Sequence, residues 1–144
     1  MAIGVVEFSK FEKGLPRRSK SPLNYLAPEI GKAYVVAITR DGCPACAKQK
    51  PQLHNLAKNM TKKYGDKVVF TRIHVKYADG AAEESLRSKD VFGHYFYPTN
   101  LVLLKTTDRG AIEYYRNASP DMDELQKNIE IALKIVMSFI KEAT

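Results

Sequence analysis

The sequence has no tryptophan, two cysteines and three histidines among its 144 residues. Two cysteines are too few for the disulfide framework of a small secreted scaffold. No apolar run approaches the roughly 20 residues of a membrane-spanning helix. The N-terminal stretch lacks the apolar core of a signal peptide because charged residues interrupt it: Glu7, Lys10, Glu12 and Lys13. We therefore expect a cytoplasmic protein, or a periplasmic or extracellular one if a signal was removed.

Charge is the most unbalanced part of the composition. Lys and Arg number 23 against 16 Asp and Glu, which gives a formal net charge of +7. A basic balance favours acidic partners, including nucleic acid and anionic membrane surfaces. The lysines are dispersed, however, and no aromatic residues alternate with the densest group to form a stacking platform for bases. We therefore expect a solvated surface, with no nucleic acid and no membrane as partner.

From residue 33 onwards, apolar runs alternate with helical periodicity. Strands are predicted at Ala33–Thr39, Val68–Val75, Thr99–Lys105 and Ala111–Arg116. Helices are predicted from the cysteine pair to Tyr64, over Ala81–Val91, and from a cap at Ser119-Pro120 to the C-terminus. Strands that alternate with helices pair in parallel, and the hairpin through Thr106–Gly110 adds antiparallel strands. The order predicts an α/β fold with a mixed sheet.

Residues 1–32 have no clear periodicity. The polar, basic stretch from Lys13 to Pro22 predicts a loop or an ordered extension. Ser21 and Pro22 favour the start of a short helix that ends near Ile30. We therefore divide the chain into an N-terminal extension packed on the domain, residues 1–32, and a domain of residues 33–144.

The final helix has more apolar residues than one buried face requires. Its inward stripe is Met122, Leu125, Ile129, Leu133, Val136 and Ile140. Ile131 and Ile135 fall off that stripe, so they are covered by the extension, lie in a homodimer or partner interface, or are simply exposed. We favour cover by the apolar side chains of the extension: Leu15, Leu23, Tyr25, Leu26 and Ile30.

The two cysteines form a Cys-Pro-Ala-Cys motif between the turn Arg40–Gly42 and a predicted helix. Cys43 then occupies the helix N-cap and Pro44 the first helical position. Proline is favoured there because the amide at this position has no hydrogen-bond partner within the helix. Unpaired backbone N–H groups and the helix dipole favour a thiolate at Cys43, which is therefore the predicted nucleophile. Cys46, one turn further on, is placed to resolve a mixed disulfide.

A cysteine pair at this spacing has two other interpretations, an inert buried pair and half of a metal site. Zinc requires about four ligands. The remaining candidates are His54, His74 and His94, and they provide no second closely spaced pair. We therefore expect no metal, and no cofactor beyond the redox-active disulfide Cys43–Cys46.

Residues 33–143 resemble the thioredoxin superfamily at four motifs. Besides the Cys-x-x-Cys unit, Pro51 stands five residues after Cys46, where the family usually has a helix-kinking proline. Phe92-Gly93 and Tyr97-Pro98-Thr99 resemble the family's aromatic–glycine and cis-proline–threonine segments. The resemblance implies a thioredoxin-like fold of three layers, with helices on both faces of a central mixed sheet. It also implies a cis Tyr97–Pro98 bond that faces the cysteines.

The resemblance also implies roles for residues around the cysteines. In the family, the backbone before the cis-proline pairs with a substrate chain by strand addition, a role that falls to Tyr97. Substrate binding is assigned to Gly42, Tyr97 and Thr99, and support of the active site to Pro44, Ala45, Tyr97 and Pro98. For His94, close to this loop, a surface position is favoured over a role as general acid or base. Substrate contact is a further hypothesis for Tyr95 and Tyr97.

Three positions depart from the family's pattern. Gly42 stands where many thioredoxins have tryptophan. Ala37, six residues before Cys43, stands where many bury an acid that helps to deprotonate the second cysteine, and Arg72 where many have a buried lysine. The Pro-Ala dipeptide matches neither the Gly-Pro of thioredoxins nor the Gly-His of disulfide isomerases. The subfamily and the direction of electron flow therefore stay open.

The sequence thus predicts a thiol-disulfide oxidoreductase that exchanges disulfides with protein substrates, as a monomer or weak homodimer. The protein that reduces or oxidises it is not identifiable from these residues. The missing acid at Ala37 keeps an alternative open, a non-catalytic module of the same fold with a protein-binding or chaperone-like role.

Overall fold

The computed structural model describes residues 3–15, 22–76, 82–107, 110–118 and 121–143. This part of the chain forms five strands and five α-helices. In chain order they are β1 (Ile3–Glu7), α1 (Phe8–Gly14), α2 (Leu23–Leu26), β2 (Ala33–Arg40), α3 (Pro44–Tyr64), β3 (Val68–Val75), α4 (Ala82–Phe92), β4 (Thr99–Leu104), β5 (Ile112–Asn117) and α5 (Met122–Ala143). No helix in the described ranges is long and apolar enough to cross a membrane.

The strands form one mixed sheet in the order β1-β3-β2-β4-β5. The strands β1, β3 and β2 are parallel, whereas β4 runs antiparallel to β2 and β5 antiparallel to β4. Strand β2 lies between β3 and β4, and every residue of it except Arg40 is buried. Its nearly continuous apolar run is therefore explained by helices on both faces of the sheet.

Helices cover both faces of the sheet and give the fold its three layers. On one face, α3 and α5 pack against alternate strand residues that include Val35, Ala37 and Phe70. On the other face, Phe8 of α1, Leu26 of α2 and Phe92 of α4 pack against the intervening strand residues, which point to the opposite side of the sheet. The expected α/β architecture is confirmed, and each predicted strand from residue 33 onwards is found with its ends within one residue.

The two long helices each bury one stripe of residues at helical spacing, and the stripe of α5 is the one predicted. In α3 the residues Leu53, Leu56, Ala57 and Met60 are buried. In α5 the stripe from Leu125 to Val136 is buried and Met122 packs against its edge. The cap at Ser119-Pro120, the side chain of Ile140 and two residues of the predicted hairpin turn lie outside what the structure describes.

Before residue 33 the chain contains a strand and a helix that the sequence analysis did not predict. Strand β1 pairs with β3, from Ile3 opposite Phe70 to Glu7 opposite His74, and so forms one edge of the sheet. Helix α1 follows it directly, and its Phe8 is fully buried against Phe11 and Phe92. Helix α2 ends at Leu26, four residues short of the expected end near Ile30. The division of the chain at residue 33 stays a prediction.

The expected cover of α5 by the N-terminal segment is wrong for four of the five side chains named for it, and for Leu15 it stays a prediction. Leu23 and Leu26 pack on the face of the sheet opposite to α5. Tyr25 and Ile30 are exposed. Ile135 is partly buried, and it packs against the core that α5 shares with α3. Its burial therefore does not require the N-terminal segment.

Candidate active site

A tight turn connects the end of β2 to the start of α3 and positions the first cysteine. Gly42 has a φ of 63°, in the left-handed region that glycine adopts without a steric penalty. The Arg40 guanidinium donates to the carbonyls of Asp41 at 2.8 Å and Gly42 at 3.2 Å. Cys43 is then the N-cap of α3, with Pro44 at its start as predicted.

Cys43 and Cys46 form a disulfide across the first turn of α3, with their Cα atoms 5.2 Å apart. The backbone N–H of Cys46 donates to the Cys43 Sγ atom at 3.1 Å. This contact uses one of the amide hydrogens that have no partner at a helix start. Each cysteine is only 8% exposed, so a reaction partner reaches the sulfur atoms through a small opening.

The loop before β4 lies against the disulfide. The Tyr97–Pro98 peptide bond is cis, as the resemblance implied, and the Tyr97 carbonyl oxygen is 3.6 Å from Cys43 Sγ. The Tyr97 hydroxyl is hydrogen-bonded to Ser85 of α4 at 2.9 Å. The Thr99 hydroxyl donates to the Phe96 carbonyl at 2.6 Å, and Thr99 is buried. The Thr99 side chain therefore holds the loop in place.

His94 is buried, so the expected surface position is wrong. Its Nδ1 atom donates to the Phe96 carbonyl at 3.2 Å, and the Ser88 hydroxyl lies 2.9 Å from Nε2. Burial is the main cause that lowers the pKa of His94 from its ordinary 6.5 to about 4. The ring is therefore neutral near pH 7, and it fixes the loop through hydrogen bonds. A lone histidine in an aromatic segment gave no sign of these contacts.

The loop before β4 carries three consecutive aromatic side chains, Tyr95, Phe96 and Tyr97. Tyr95 is 80% exposed and Phe96 66% exposed. The Tyr97 ring packs edge-on against His94, with the ring centres 4.8 Å apart. The guanidinium of Arg40 lies 5.6 Å from the centre of the same ring. Tyr95 and Phe96 thus offer apolar surface to solvent, and the Tyr97 backbone is the part of this loop that contacts Cys43.

Ala37 lies in a row of side chains that crosses the sheet on the α3 face. Its pairing partners are Arg72 in β3 and Asn100 in β4. Gln49 of α3 and Asn100, both fully buried, exchange hydrogen bonds of 3.0 and 2.8 Å. Neutral amides therefore lie on the β4 side of Ala37, whereas Arg72 lies on its β3 side. This pair was not predicted from the sequence, although Gln49 follows Cys46 at helical spacing and Asn100 interrupts an apolar strand.

An open cavity of about 520 Å³ lies beside the disulfide on the α3 face. Its lining includes both cysteines and the expected site residues Gly42 and Pro44, together with Thr39, Arg40, Asp41, Lys50, Arg72 and His74. Arg72, left undecided by the sequence, is thus partly buried at the cavity wall. Thr39, Asp41 and His74 are new members of the site.

Solved structures of thioredoxins are similar to this chain over most of its length. Thioredoxin NaTrxh from Nicotiana alata has a TM-score of 0.60 and 21% identity, covering 91% of this chain and 92% of that chain. Malassezia sympodialis thioredoxin has a TM-score of 0.58 at 18% identity, with coverage of 91% and 90%. Trichomonas vaginalis thioredoxin has a TM-score of 0.58 and 14% identity, covering 90% of this chain and 95% of that chain. Neither a protein-family model nor a curated protein matches the sequence.

These likenesses and the sheet topology define the class of fold. The protein has the thioredoxin-like fold, and the resemblance seen in its motifs is confirmed at that level. A disulfide between cysteines of Cys-x-x-Cys spacing begins the helix after the central strand. Identities this low establish the fold alone, so the chemistry has to be argued from the residues of the site.

Proposed function

We propose that this protein is a thiol-disulfide oxidoreductase that exchanges disulfides with protein substrates through Cys43 and Cys46. The observation that carries the proposal is the position of the Cys43 sulfur. It caps α3, accepts the Cys46 N–H at 3.1 Å, and faces the Tyr97 carbonyl at 3.6 Å. The amide hydrogen and the positive end of the helix dipole favour a thiolate at this atom.

The reaction has two displacement steps, written here for substrate reduction. The Cys43 thiolate attacks one sulfur of a substrate disulfide, forms a mixed disulfide and releases the other substrate sulfur as a thiolate. Cys46 then loses its proton and attacks Cys43 Sγ, which forms the Cys43–Cys46 bond and releases the second substrate sulfur. The substrate disulfide gains two electrons, and the cysteine pair loses two. Substrate oxidation follows the same steps in reverse.

Protein substrates fit the surroundings of the cysteines better than small molecules do. The exposed rings of Tyr95 and Phe96 lie on the loop that carries Tyr97. An extended chain that pairs with the backbone at Tyr97 would bring a cysteine to Cys43 and rest its neighbours on these rings. The same proposal includes three further predictions. A partner protein restores the redox state of the pair, the protein is a monomer or a weak homodimer, and its location is cytoplasmic.

Alkylation and substrate trapping test the proposal. The reduced protein, treated with iodoacetamide at mildly acidic pH, is expected to carry the label on Cys43 well before Cys46, as measured by peptide mass spectrometry. Cys43→Ser is expected to abolish reduction of insulin disulfides, whereas Cys46→Ser is expected to accumulate a mixed disulfide. Equal labelling of both cysteines, or insulin reduction by Cys43→Ser, would contradict the assignment.

The neutral residues beside Ala37 favour one second candidate, a protein-binding module without redox turnover. Gln49 and Asn100 provide no ionisable group for the proton of Cys46. A binding module would hold unfolded protein equally well with Cys43→Ser and Cys46→Ser, and would reduce insulin no faster than free dithiothreitol does. If the wild type reduces insulin faster than free dithiothreitol does, and Cys43→Ser does not, the protein is an oxidoreductase.

A further inference from the structure

A second set of polar side chains lies in the cavity beside the disulfide. His74 of β3 places its Nε2 atom 2.6 Å from the Asp41 carboxylate and its Nδ1 atom 3.0 Å from the Thr39 hydroxyl. Asp41, Thr39 and His74 all line the cavity that Cys43 and Cys46 line. The sulfur atoms and the imidazole thus share one space that is open to solvent.

The hydrogen bonds determine which ring nitrogen is available as a base. The Asp41 carboxylate can only accept a hydrogen bond, so Nε2 of His74 carries the hydrogen. The neutral ring then accepts from the Thr39 hydroxyl at Nδ1. Thr39 is 4% exposed, and with Cys46 it also lines a second, smaller cavity beneath the first turn of α3. Thr39 therefore lines both cavities together with the second cysteine and is hydrogen-bonded to the basic nitrogen of His74.

The exchange reaction requires a group that takes the proton from Cys46. Alanine at position 37 has no ionisable side chain, and its neighbour Asn100 is a neutral amide already bonded to Gln49. Histidine is the side chain whose ordinary titration falls at about pH 5 to 8, and His74 is the histidine in the larger cavity. The cavity contains no other described side chain that accepts and returns a proton near neutral pH as readily.

We infer that His74, held by Asp41, is the proton acceptor for Cys46, with Thr39 as the relay. This inference rests on the proposed redox function. In the resolving step the Cys46 thiol gives its proton to the Thr39 hydroxyl, directly or through a water in the cavity, while the Thr39 hydrogen passes to His74 Nδ1. The thiolate attacks Cys43 Sγ and displaces the substrate sulfur. In the reverse direction the imidazolium returns the proton to Cys46.

The charged groups around His74 are compatible with this role. The Asp41 carboxylate stabilises the imidazolium that forms. Glu7 of β1 is the pairing partner of His74 and lies 4.0 Å from Lys76. Cations also line the cavity, Arg40, Lys50 and Arg72, and they favour the thiolate of Cys46 once its proton has left.

Stopped-flow kinetics with the neutral reagent 4,4′-dithiodipyridine test the inference. The reduced protein releases one thiopyridone when Cys43 attacks and a second when Cys46 resolves the adduct, so the two steps are measured separately. We expect His74→Gln to slow the second phase by about 10²-fold at pH 7, in the range of general acid–base catalysis, and to leave the first within about 2-fold. The pH dependence of the second phase is expected to differ between the wild type and His74→Gln, because the variant has no imidazole to accept the proton.

Two further variants keep the result interpretable. Asp41→Asn changes a half-exposed side chain and is expected to slow the second phase while the protein stays folded, as judged by circular dichroism. His54→Gln is the matched control, because His54 is exposed on α3 and lines the smaller cavity with Cys46. A normal second phase in folded His74→Gln, or an equally slowed second phase in His54→Gln, overturns the inference alone. A wild-type protein that releases no thiopyridone overturns the proposed function.

Discussion

Gln49 and Asn100 form a closed pair of side-chain amides between α3 and the sheet, each donating to and accepting from the other. Asn100 gives its second amide hydrogen to Asn117 at 3.0 Å. Both residues of the pair are at least 99% buried. A buried amide is tolerated in a core when its partners are present and is costly when one of them is removed. The pair is therefore a structural unit that joins α3, one turn after Cys46, to β4.

Substitution of one member of this pair is expected to destabilise the protein. Gln49→Met leaves Asn100 without two hydrogen bonds and should lower the free energy of unfolding by about 1–3 kcal/mol. The double variant Gln49→Met with Asn100→Leu should lose less than the sum of the two single changes, because neither amide of the pair is left behind without its partner. Urea unfolding of all four proteins measures the coupling, and strict additivity would show that the pair does not act as a unit.

Introduction of an acid at position 37 is expected to have two effects. Ala37→Asp places a carboxyl in the buried layer between Arg72 and Asn100, and its burial should lower the free energy of unfolding by roughly 1–3 kcal/mol. It should also change the pH profile of the second thiopyridone release, since Cys46 gains a second proton acceptor. Ala37→Asn is the matched control without an ionisable group. Identical pH profiles of the two variants would rule out proton transfer to this position.

The elements that were predicted correctly owe their pattern to local periodicity. Strand β2 is apolar along its whole length because helices cover both of its faces, and α3 and α5 have one apolar stripe each. The motif at Cys43 was predictable for the same reason, because the helix start, the proline and the turn are neighbours in the chain.

The elements that were missed depend on contacts between distant parts of the chain. The five residues of β1 have little periodicity, and their extended form follows from pairing with β3. Gln49 and Asn100 are 51 positions apart, and Thr39 and His74 are 35 apart. Neither pair has a signature within a local window. His94 was misplaced because its burial depends on Ser88 and the folded loop.

The role of the N-terminal segment in stability is testable at Phe8. The ring has no exposed surface and packs against Phe11 and Phe92. Phe8→Ala should therefore lower the free energy of unfolding by about 3–5 kcal/mol, while the order of cysteine alkylation stays the same. Tyr25→Ala, at a residue that is 47% exposed, should change it by only about 0.5 kcal/mol, as surface substitutions do. Similar effects of the two changes in thermal unfolding would contradict the packing of α1 on the sheet.

Burial of His94 predicts a pH-dependent stability. The folded state holds the ring neutral, with its pKa lowered to about 4 from the ordinary 6.5, mainly because burial disfavours the imidazolium. Between these two values the unfolded chain binds a proton that the folded chain does not, so the free energy of unfolding rises with pH. The stability that depends on a neutral His94 ring is present in full above pH 6.5. As the pH falls towards about 4, the free energy of unfolding decreases by up to about 3 kcal/mol.

His94→Asn isolates this contribution, because the Asn amide donates near the position of Nδ1 and does not titrate. The variant loses the contact with Ser88 and should therefore be less stable than the wild type at pH 7. The free energy of unfolding of the variant should fall less steeply than that of the wild type as the pH is lowered from 6.5 to 4. Urea unfolding at a series of pH values measures both slopes. His54→Asn, at an exposed position, is expected to retain the wild-type slope. Equal slopes in the wild type and His94→Asn would mean that His94 is protonated in the folded protein and that the Phe96 loop does not depend on a neutral ring.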